Sequence, residues 1–207
     1  LTGTDEHGQK VEKAAESAGV DPQKFTDEVS ANFRKLAETM NFSFDDFIRT
    51  TEERHKISTQ ALWQRLLDAG DVYLDAYKGW YAVRDEAFYA ETEIVDGPDG
   101  TKVGPTGAEV EWVEEPSYFF RLSAWQDRLL EYYENNPDFI LPISRRNEVV
   151  SFVKGGLKDL SVSRTTFKWG IPVPGDDKHI MYVWLDALNN YLTSTGFPDT
   201  NNETYKT

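Results

Sequence analysis

Asp5, Glu6 and His7 stand side by side in the opening stretch Leu1-Thr2-Gly3-Thr4-Asp5-Glu6-His7-Gly8. Leu1 reads as the end of an apolar strand, and Val11, Ala14 and Ala15 begin a helical pattern. Strand, short Gly-containing loop, then helix is the layout of a site at the carboxyl edge of an α/β sheet. A carboxylate held there can pair with a ligand ammonium, more strongly in a partly dry crevice than in water. A second junction lies far downstream, where Ile180-Met181-Tyr182-Val183-Trp184 runs into Leu185-Asp186-Ala187-Leu188-Asn189-Asn190-Tyr191. Trp184, Ala187, Leu188 and Tyr191 fall at helix-turn spacing and can wall an apolar pocket. If both strands share one parallel sheet, the two loops face one crevice suited to a small zwitterion with an apolar tail, an amino acid.

The same residues carry other readings. Asp5 suits the N-cap of the helix that follows it. Trp184 and Leu188 suit plain core packing. Asp5, His7 and His179 could share a metal, although the chain has three histidines and no cysteine for a closed transition-metal site. No nucleophile-elbow motif supports a Ser-His-Asp triad.

The elements that position these groups can be read in order. Gln9 to Ala18 is a short helix closed by Gly19, and Asp21-Pro22 caps and opens the next. Phe25, Val29, Phe33, Leu36 and Met40 repeat at helical spacing and predict one buried face. Asn41 to Ile48 is a loop with a short strand. Thr50-Thr51-Glu52-Glu53 reads as a capping box for a helix that Gly70 ends, which puts His55 on the surface in its first turn. From Asp71 the texture becomes aromatic and β-leaning, through Val72-Tyr73-Leu74, Gly79 to Val83, Ala87-Phe88-Tyr89 and Tyr118 to Leu122. Gly97-Pro98-Asp99-Gly100 and Gly104-Pro105-Thr106-Gly107 are turns. Ser123 and Ser144 are expected to cap two helices, the second bent at Gly155-Gly156. Arg164 precedes Trp169-Gly170-Ile171-Pro172-Val173-Pro174-Gly175, a loop stiffened by two prolines. The tail from Phe197 to Thr207 reads as polar loop.

Bulk properties narrow the class. The 207 residues allow one domain with an insertion or two small ones. A net charge of -14 speaks against an extended basic nucleic-acid face. The acid concentrates between Asp85 and Glu115, where Lys102 is the only base, and reads as a solvated loop region. There is no run of about 18 apolar residues and so no expected membrane span. No signal peptide is visible, and the absence of cysteine excludes disulfides and thiolate zinc sites and fits a reducing cytosol. Because Leu1 reads as an isolated strand end, the chain is expected to be a fragment with its upstream part missing.

Thr2 to Lys10 resembles the segment after the second strand of methionyl-tRNA synthetases, members of the class I aminoacyl-tRNA synthetases. Phe47-Ile48-Arg49-Thr50-Thr51-Glu52-Glu53-Arg54-His55, Trp169 to Pro174 and Tyr182 to Tyr191 match the same family in the same order. The resemblance implies an α/β fold: a partial Rossmann-like parallel-sheet catalytic domain over 1–70 and 161–207, interrupted over 71–160 by a small α+β connective-peptide insertion. It implies activation of methionine by ATP, with Mg2+, to methionyl-adenylate, then transfer to tRNA(Met) in the cytoplasm. Asp5 matches the residue that binds the methionine ammonium, and His7 a neighbour in that pocket. Trp184, Ala187, Leu188 and Tyr191 match positions around the methionine side chain, with Tyr182 and Val183 on the adjoining strand and Arg164 near the active site. Ala82 and Asp85 stand where one Cys pair of a zinc knuckle would fall, so no zinc is expected. Trp80, Tyr81, Phe88 and Tyr89 are expected to hold the insertion by aromatic packing. The HIGH-type and KMSKS-type motifs lie outside the chain, so no catalytic residue is assigned and the polypeptide is expected to be inactive alone. The alternative in view is a non-catalytic relative, a tRNA-binding or scaffold protein.

Overall fold

The computed structural model describes every residue except Glu86, Pro98, Asp99 and Thr207, and only the backbone of Tyr77 and Glu115. The turn expected at Gly97 to Gly100 falls on Pro98 and Asp99 and so lies outside the described residues. The α/β class read from the sequence is what the chain adopts.

The chain opens on β1 (Thr2–Thr4), followed by α1 (Gln9–Ala18), α2 (Pro22–Thr39), β2 (Phe47–Arg49) and α3 (Glu53–Asp68). β1 and β2 pair in parallel, Thr2 opposite Phe47, Gly3 opposite Ile48 and Thr4 opposite Arg49. Parallel neighbours need a crossover, and α1 and α2 supply it. Gly19 ends α1 in the left-handed region at φ 67°, and the Asp21 side chain accepts from the amides of Gln23 and Lys24 at the start of α2. The periodicity is right about the helix and wrong about its face. Thr26, Ser30 and Ala37 are the buried residues of α2, whereas Val29, Phe33, Leu36 and Met40 are exposed. Spacing identifies a stripe; only the neighbouring elements decide which stripe is covered. At α3 the expected capping box is absent. Glu52 is the N-cap and makes no side-chain cap bond, because Thr50 and Thr51 turn to Glu6 instead.

The middle of the chain is antiparallel. β3 (Val72–Ala82) and β7 (Glu111–Phe120) pair along their length, flanked by β4 (Ala87–Tyr89) and β8 (Leu160–Ser161), while β5 (Val95–Asp96) and β6 (Lys102–Val103) form a separate ribbon. Trp80 faces Tyr89 and Tyr81 faces Phe88 across β3 and β4. Ala82, Ala108 and Val110 form a small core there, covered by Trp80, Tyr89 and Ile94. Asp85 accepts from the Tyr89 hydroxyl at 2.9 Å and from the Thr106 hydroxyl. Aromatic packing and this carboxylate hold the region around Ala82 and Asp85.

Helices α4 (Gln126–Asn135) and α5 (Ile143–Lys154) start on Trp125 and Pro142, not on the expected serines. Ser123 instead binds Asp159 through its amide at 3.1 Å and through its hydroxyl. Gly155 and Gly156 (φ 102°) end α5 rather than bend it.

In the last part β9 (Ser163–Arg164) and β10 (Pro172–Val173) both pair antiparallel with β11 (Asp176–Met181). The proline-stiffened loop is therefore one arm of a hairpin. The strand before Tyr182 joins this sheet and not the β1–β2 sheet, so the condition that both junctions share one parallel sheet is not met. Strand β11 also stops at Met181, so Tyr182 and Val183 do not lie on it. Tyr182 caps α6 (Val183–Asp186), which runs through a turn at Ala187–Asn189 into α7 (Asn190–Ser194). The tail is ordered by Phe197, 4% exposed, whose ring stacks on Tyr205 of α8 (Glu203–Lys206). Among the described residues no helix is long and apolar enough to cross a membrane.

One core joins these parts. Trp63 of α3 packs with Val72, Val162, Ile171, Val173, Met181 and Leu185, so α3, the four-stranded and three-stranded antiparallel sheets and α6 share buried surface. The β1–β2 sheet is set by a close approach: a Cβ on Gly3 would stand 1.9 Å from the Ile48 carbonyl oxygen. Gly3→Ala is therefore expected to push β1 off β2 and to cost roughly 1–3 kcal/mol, the usual range for overpacking. Urea unfolding should show a lower midpoint at unchanged slope.

Candidate functional site

The three acid and imidazole groups after β1 diverge. Glu6 turns inward and is 4% exposed. Its carboxylate accepts Arg49 Nε at 2.7 Å and Nη2 at 2.8 Å, the Thr4 hydroxyl at 2.6 Å and the Thr51 hydroxyl at 2.5 Å. Its amide donates to Thr50 Oγ1 at 2.9 Å. The parallel register places Arg49 opposite Thr4, so the guanidinium reaches just past the end of β1. Burial would raise the Glu6 pKa, but bonds from Arg49, Thr4 and Thr51 win and hold it below its ordinary value.

His7 turns to the far junction. Its Nδ1 lies 2.7 Å from Asp186 Oδ2, and its ring meets Trp169 edge-on at 5.4 Å. The other oxygen of Asp186 lies 3.0 Å from His55 Nε2. Asp186 is 2% exposed; burial would raise its pKa, yet hydrogen bonds from His55 and His7 hold it below the ordinary value. A carboxylate kept ionised is acceptor-only, so both imidazoles donate to it, and His7 is assigned the tautomer with the proton on Nδ1. His55 is completely buried, with Nδ1 3.1 Å from the Thr193 hydroxyl. The surface position expected for His55 is thus corrected: the helix turns this residue toward α6 and α7.

Trp169 clasps the loop. Its indole donates to the Glu6 carbonyl at 2.6 Å, its carbonyl accepts from Gly8 N at 3.1 Å, and the amides of Lys168 and Trp169 donate to Glu12 at 2.9 and 3.0 Å. Together with the Arg49–Glu6 and His7–Asp186–His55 bonds, they bring together all four stretches that the sequence had singled out.

Asp5 remains; it lines three hollows, one against α2 and two that also touch the downstream junction. A narrow cavity of about 60 Å³ is lined by Asp5, His7, Tyr81, Phe167, Met181, Tyr182, Val183 and Asp186 among others. A wider cleft of about 260 Å³ is lined by Asp5, Ile48, Ala187, Asn190 and Tyr191 among others. Asp5 is exposed to solvent in these hollows. Lost hydration and the nearby charge of Asp186 raise its pKa, against the smaller pull of His7 and His55. Asp5 is not a helix cap, since Gly8 occupies that position without a side-chain bond.

The expected site residues therefore meet, with exceptions. Asp5, His7, Tyr182 and Val183 line the narrow cavity, and Ala187 and Tyr191 the wider cleft. Trp184 and Leu188 line neither and are 50% and 54% exposed, so they are not core either. Buried Arg164 lies 3.9 Å over the Tyr182 ring and 5.2 Å from Phe88, bracing a cavity-lining side chain against β4. His179 is bonded to Ser163 at 3.0 Å. Among the described residues no group of three or more His, Cys, Asp or Glu could hold a metal ion. Sequence reasoning missed Glu6, Arg49, His55 and Asp186. Asp186 carried a signal, a lone acid between Leu185 and Ala187 in an apolar run.

Residues 1–207 match the family described as tRNA synthetases class I (M), and the chain belongs to that family. More narrowly, it is 68% identical over 201 residues to the methionine–tRNA ligase of Rickettsia bellii (strain RML369-C), covering 97% of this chain and 39% of that protein. It is 61% identical over 203 residues to the methionine–tRNA ligase of Brucella suis biovar 1 (strain 1330), covering 98% of this chain and 39% of that protein. Mycobacterium tuberculosis methionyl-tRNA synthetase bound by methionyl-adenylate superposes with a TM-score of 0.90 at 55% identity, over 100% of this chain and 41% of that one. The chain thus spans about two fifths of the length of these relatives.

The neighbouring carboxylates should respond oppositely to charge removal. Glu6 has a depressed folded pKa, so its stabilisation is present above the unfolded value and lost as pH falls through the folded one. Asp5 has a raised folded pKa, so its ionised form costs stability above that pKa and nothing below the unfolded value. Thermal melts at pH 7 should show Glu6→Gln lowering Tm and Asp5→Asn raising it slightly, since Asp5 still touches solvent. Both differences should shrink towards about pH 3, below the ordinary carboxylate range.

Proposed function

We propose that this chain carries the amino-acid side of a methionine-activating site, within an enzyme that forms methionyl-adenylate from methionine and ATP and passes methionine to tRNA(Met). The observation that carries the reading is Asp5. No lysine or arginine among the described residues forms an ion pair with it, it lines three hollows, and its surroundings leave its charge undercompensated. A substrate ammonium supplies what is missing, in a charge-assisted bond. The role of Asp5 is orientation, not proton transfer. His7 stands beside it with Nδ1 engaged by Asp186, leaving Nε2 as an acceptor. Tyr182, Val183, Ala187 and Tyr191 provide apolar wall, and Arg164 braces Tyr182. Trp184 and Leu188 belong to this wall only if methionine draws them over the crevice.

With the ammonium held, the methionine carboxylate attacks the ATP α-phosphate in line and pyrophosphate leaves. Catalysis of that step is mostly positioning and stabilisation of phosphate charge. We assign the groups that handle phosphate to the three fifths of the relatives that this chain does not span. Mg2+ enters as part of the nucleotide substrate.

In the same reading, 1–70 and 161–207 belong to the catalytic domain and 71–160 to the connective-peptide insertion, in a cytoplasmic enzyme. The four-stranded antiparallel sheet, made almost wholly from that middle stretch, supports the division. Tyr81 of β3 reaches the narrow cavity, so the insertion contributes to the crevice rather than only covering it.

The test uses the full-length enzyme. ATP–pyrophosphate exchange over methionine, leucine, isoleucine and valine should proceed with methionine and fail with the others. Asp5→Ala should weaken methionine binding at least tenfold in calorimetry, since a hydrogen bond to a charged group is worth about 1.5–3 kcal/mol. No exchange with any amino acid from a folded protein would favour the non-catalytic alternative.

A further inference from the structure

His55 lines none of the three hollows, yet it is the most enclosed titratable group near the crevice, with no exposed surface. It follows β2 on the first turn of α3 and reaches across to α6 and α7. There it bonds Asp186 Oδ1 at 3.0 Å and the Thr193 hydroxyl at 3.1 Å, with Thr59 Oγ1 at 3.3 Å from its Nε2. Around it the contact between helices is polar. The Asn189 amide donates to Ser58 at 2.9 Å and to Thr59 at 3.0 Å, and Ser58 and Thr59 are fully buried. A polar seam of this kind fixes one docking of α3 on α6 and α7, because any slip leaves buried groups unpaired. Its end product is the orientation of Asp186, whose second oxygen holds His7 Nδ1 at 2.7 Å.

We propose that His55 is a positioning residue for amino-acid binding: it anchors Asp186 through Oδ1, so that Oδ2 sets the tautomer and ring orientation of His7 beside Asp5. The inference rests on the proposed reading of the crevice. It deepens that reading by placing a determinant of amino-acid affinity on a helix outside the crevice. The chain of contacts is linear, from His55 to Asp186 to His7 to ligand. Loss of the first link therefore acts through the last. Without His55, Asp186 keeps one imidazole partner and is free to rotate, and His7 loses its fixed acceptor.

Two polar substitutions separate positioning from bulk. In His55→Gln the side-chain amide takes the place of Nε2 and keeps the bond to Asp186. In His55→Asn the shorter amide takes the place of Nδ1 and keeps only the bond to Thr193. In the full-length enzyme, methionine-dependent ATP–pyrophosphate exchange should show His55→Asn raising the KM for methionine at least about tenfold, the scale of a lost charged hydrogen bond. The KM for ATP should stay within about twofold of the parent, and His55→Gln should keep the methionine KM within about threefold. The double variant His7→Ala/His55→Asn should bind methionine no more weakly than His7→Ala alone, since residues acting in series are not additive. Equal effects of Gln and Asn, parallel loss of ATP affinity, or additive losses with His7→Ala would each overturn the inference. Absence of methionine-dependent exchange in the unsubstituted enzyme would instead overturn the functional reading beneath it. If His55→Asn fails to fold, methionine titration of His7→Ala, His55→Gln and their combination decides. A Gln variant that binds methionine as poorly as His7→Ala overturns the proposal, and one near the parent supports it.

Discussion

A buried carboxylate cannot stay charged unless protein replaces the water it lost. Asp186 meets that condition with one imidazole on each oxygen, one from the loop after β1 and one from α3. Taking an ion out of water costs several kcal/mol, so the two bonds are needed together, and they dictate where both elements lie. The loop after β1 must bring His7 within reach, and α3 must turn His55 inward. Helix α6 must begin at Val183, after the Tyr182 cap that follows the end of β11 at Met181, so that Asp186 faces both. Much of the crevice geometry follows from satisfying this one group.

Glu6 solves the same problem differently. Its partners are a bidentate arginine and two hydroxyls, all local to the β1–β2 sheet or just beyond it. That arrangement pins the start of the loop, as Asp186 pins its middle and Trp169 clasps its backbone. A three-residue parallel pair has few backbone bonds of its own. Side-chain chemistry at the strand ends supplies the rest of the rigidity that a binding loop needs.

Asp5 is the counter-example on which the proposed reading rests. Two neighbouring carboxylates are compensated by fixed cations or imidazoles, and this one is not. Instead lost hydration and the charge of Asp186 press against it. Proteins keep such a group where a ligand completes it, and stability is the quantity sacrificed. The antiparallel region approaches the same place through Tyr81, Phe88 and Arg164, so the middle of the chain is coupled to the crevice by a tilted ring pair and by a guanidinium over two rings.

Local information reached a fair distance. The sequence by itself determined helices α1 to α3 to within a residue or two, the aromatic β-rich middle and the two junctions that face each other. Each depends on nearest neighbours in the chain: a glycine past a helix end, an acid before a proline, alternation along a strand. It also carried the family, because four separated stretches keep their residue types in order. Tertiary structure alone decided the rest. It placed β11 in an antiparallel sheet, turned the apolar stripe of α2 outward, left Trp184 and Leu188 exposed and made His55 the most buried of the histidines. Periodicity reports that a helix has two unlike faces, but which face is covered depends on elements tens of residues away. His55 and Asp186 are 131 positions apart, and no local rule can say that an imidazole and a carboxylate so distant will share the burial of one charge.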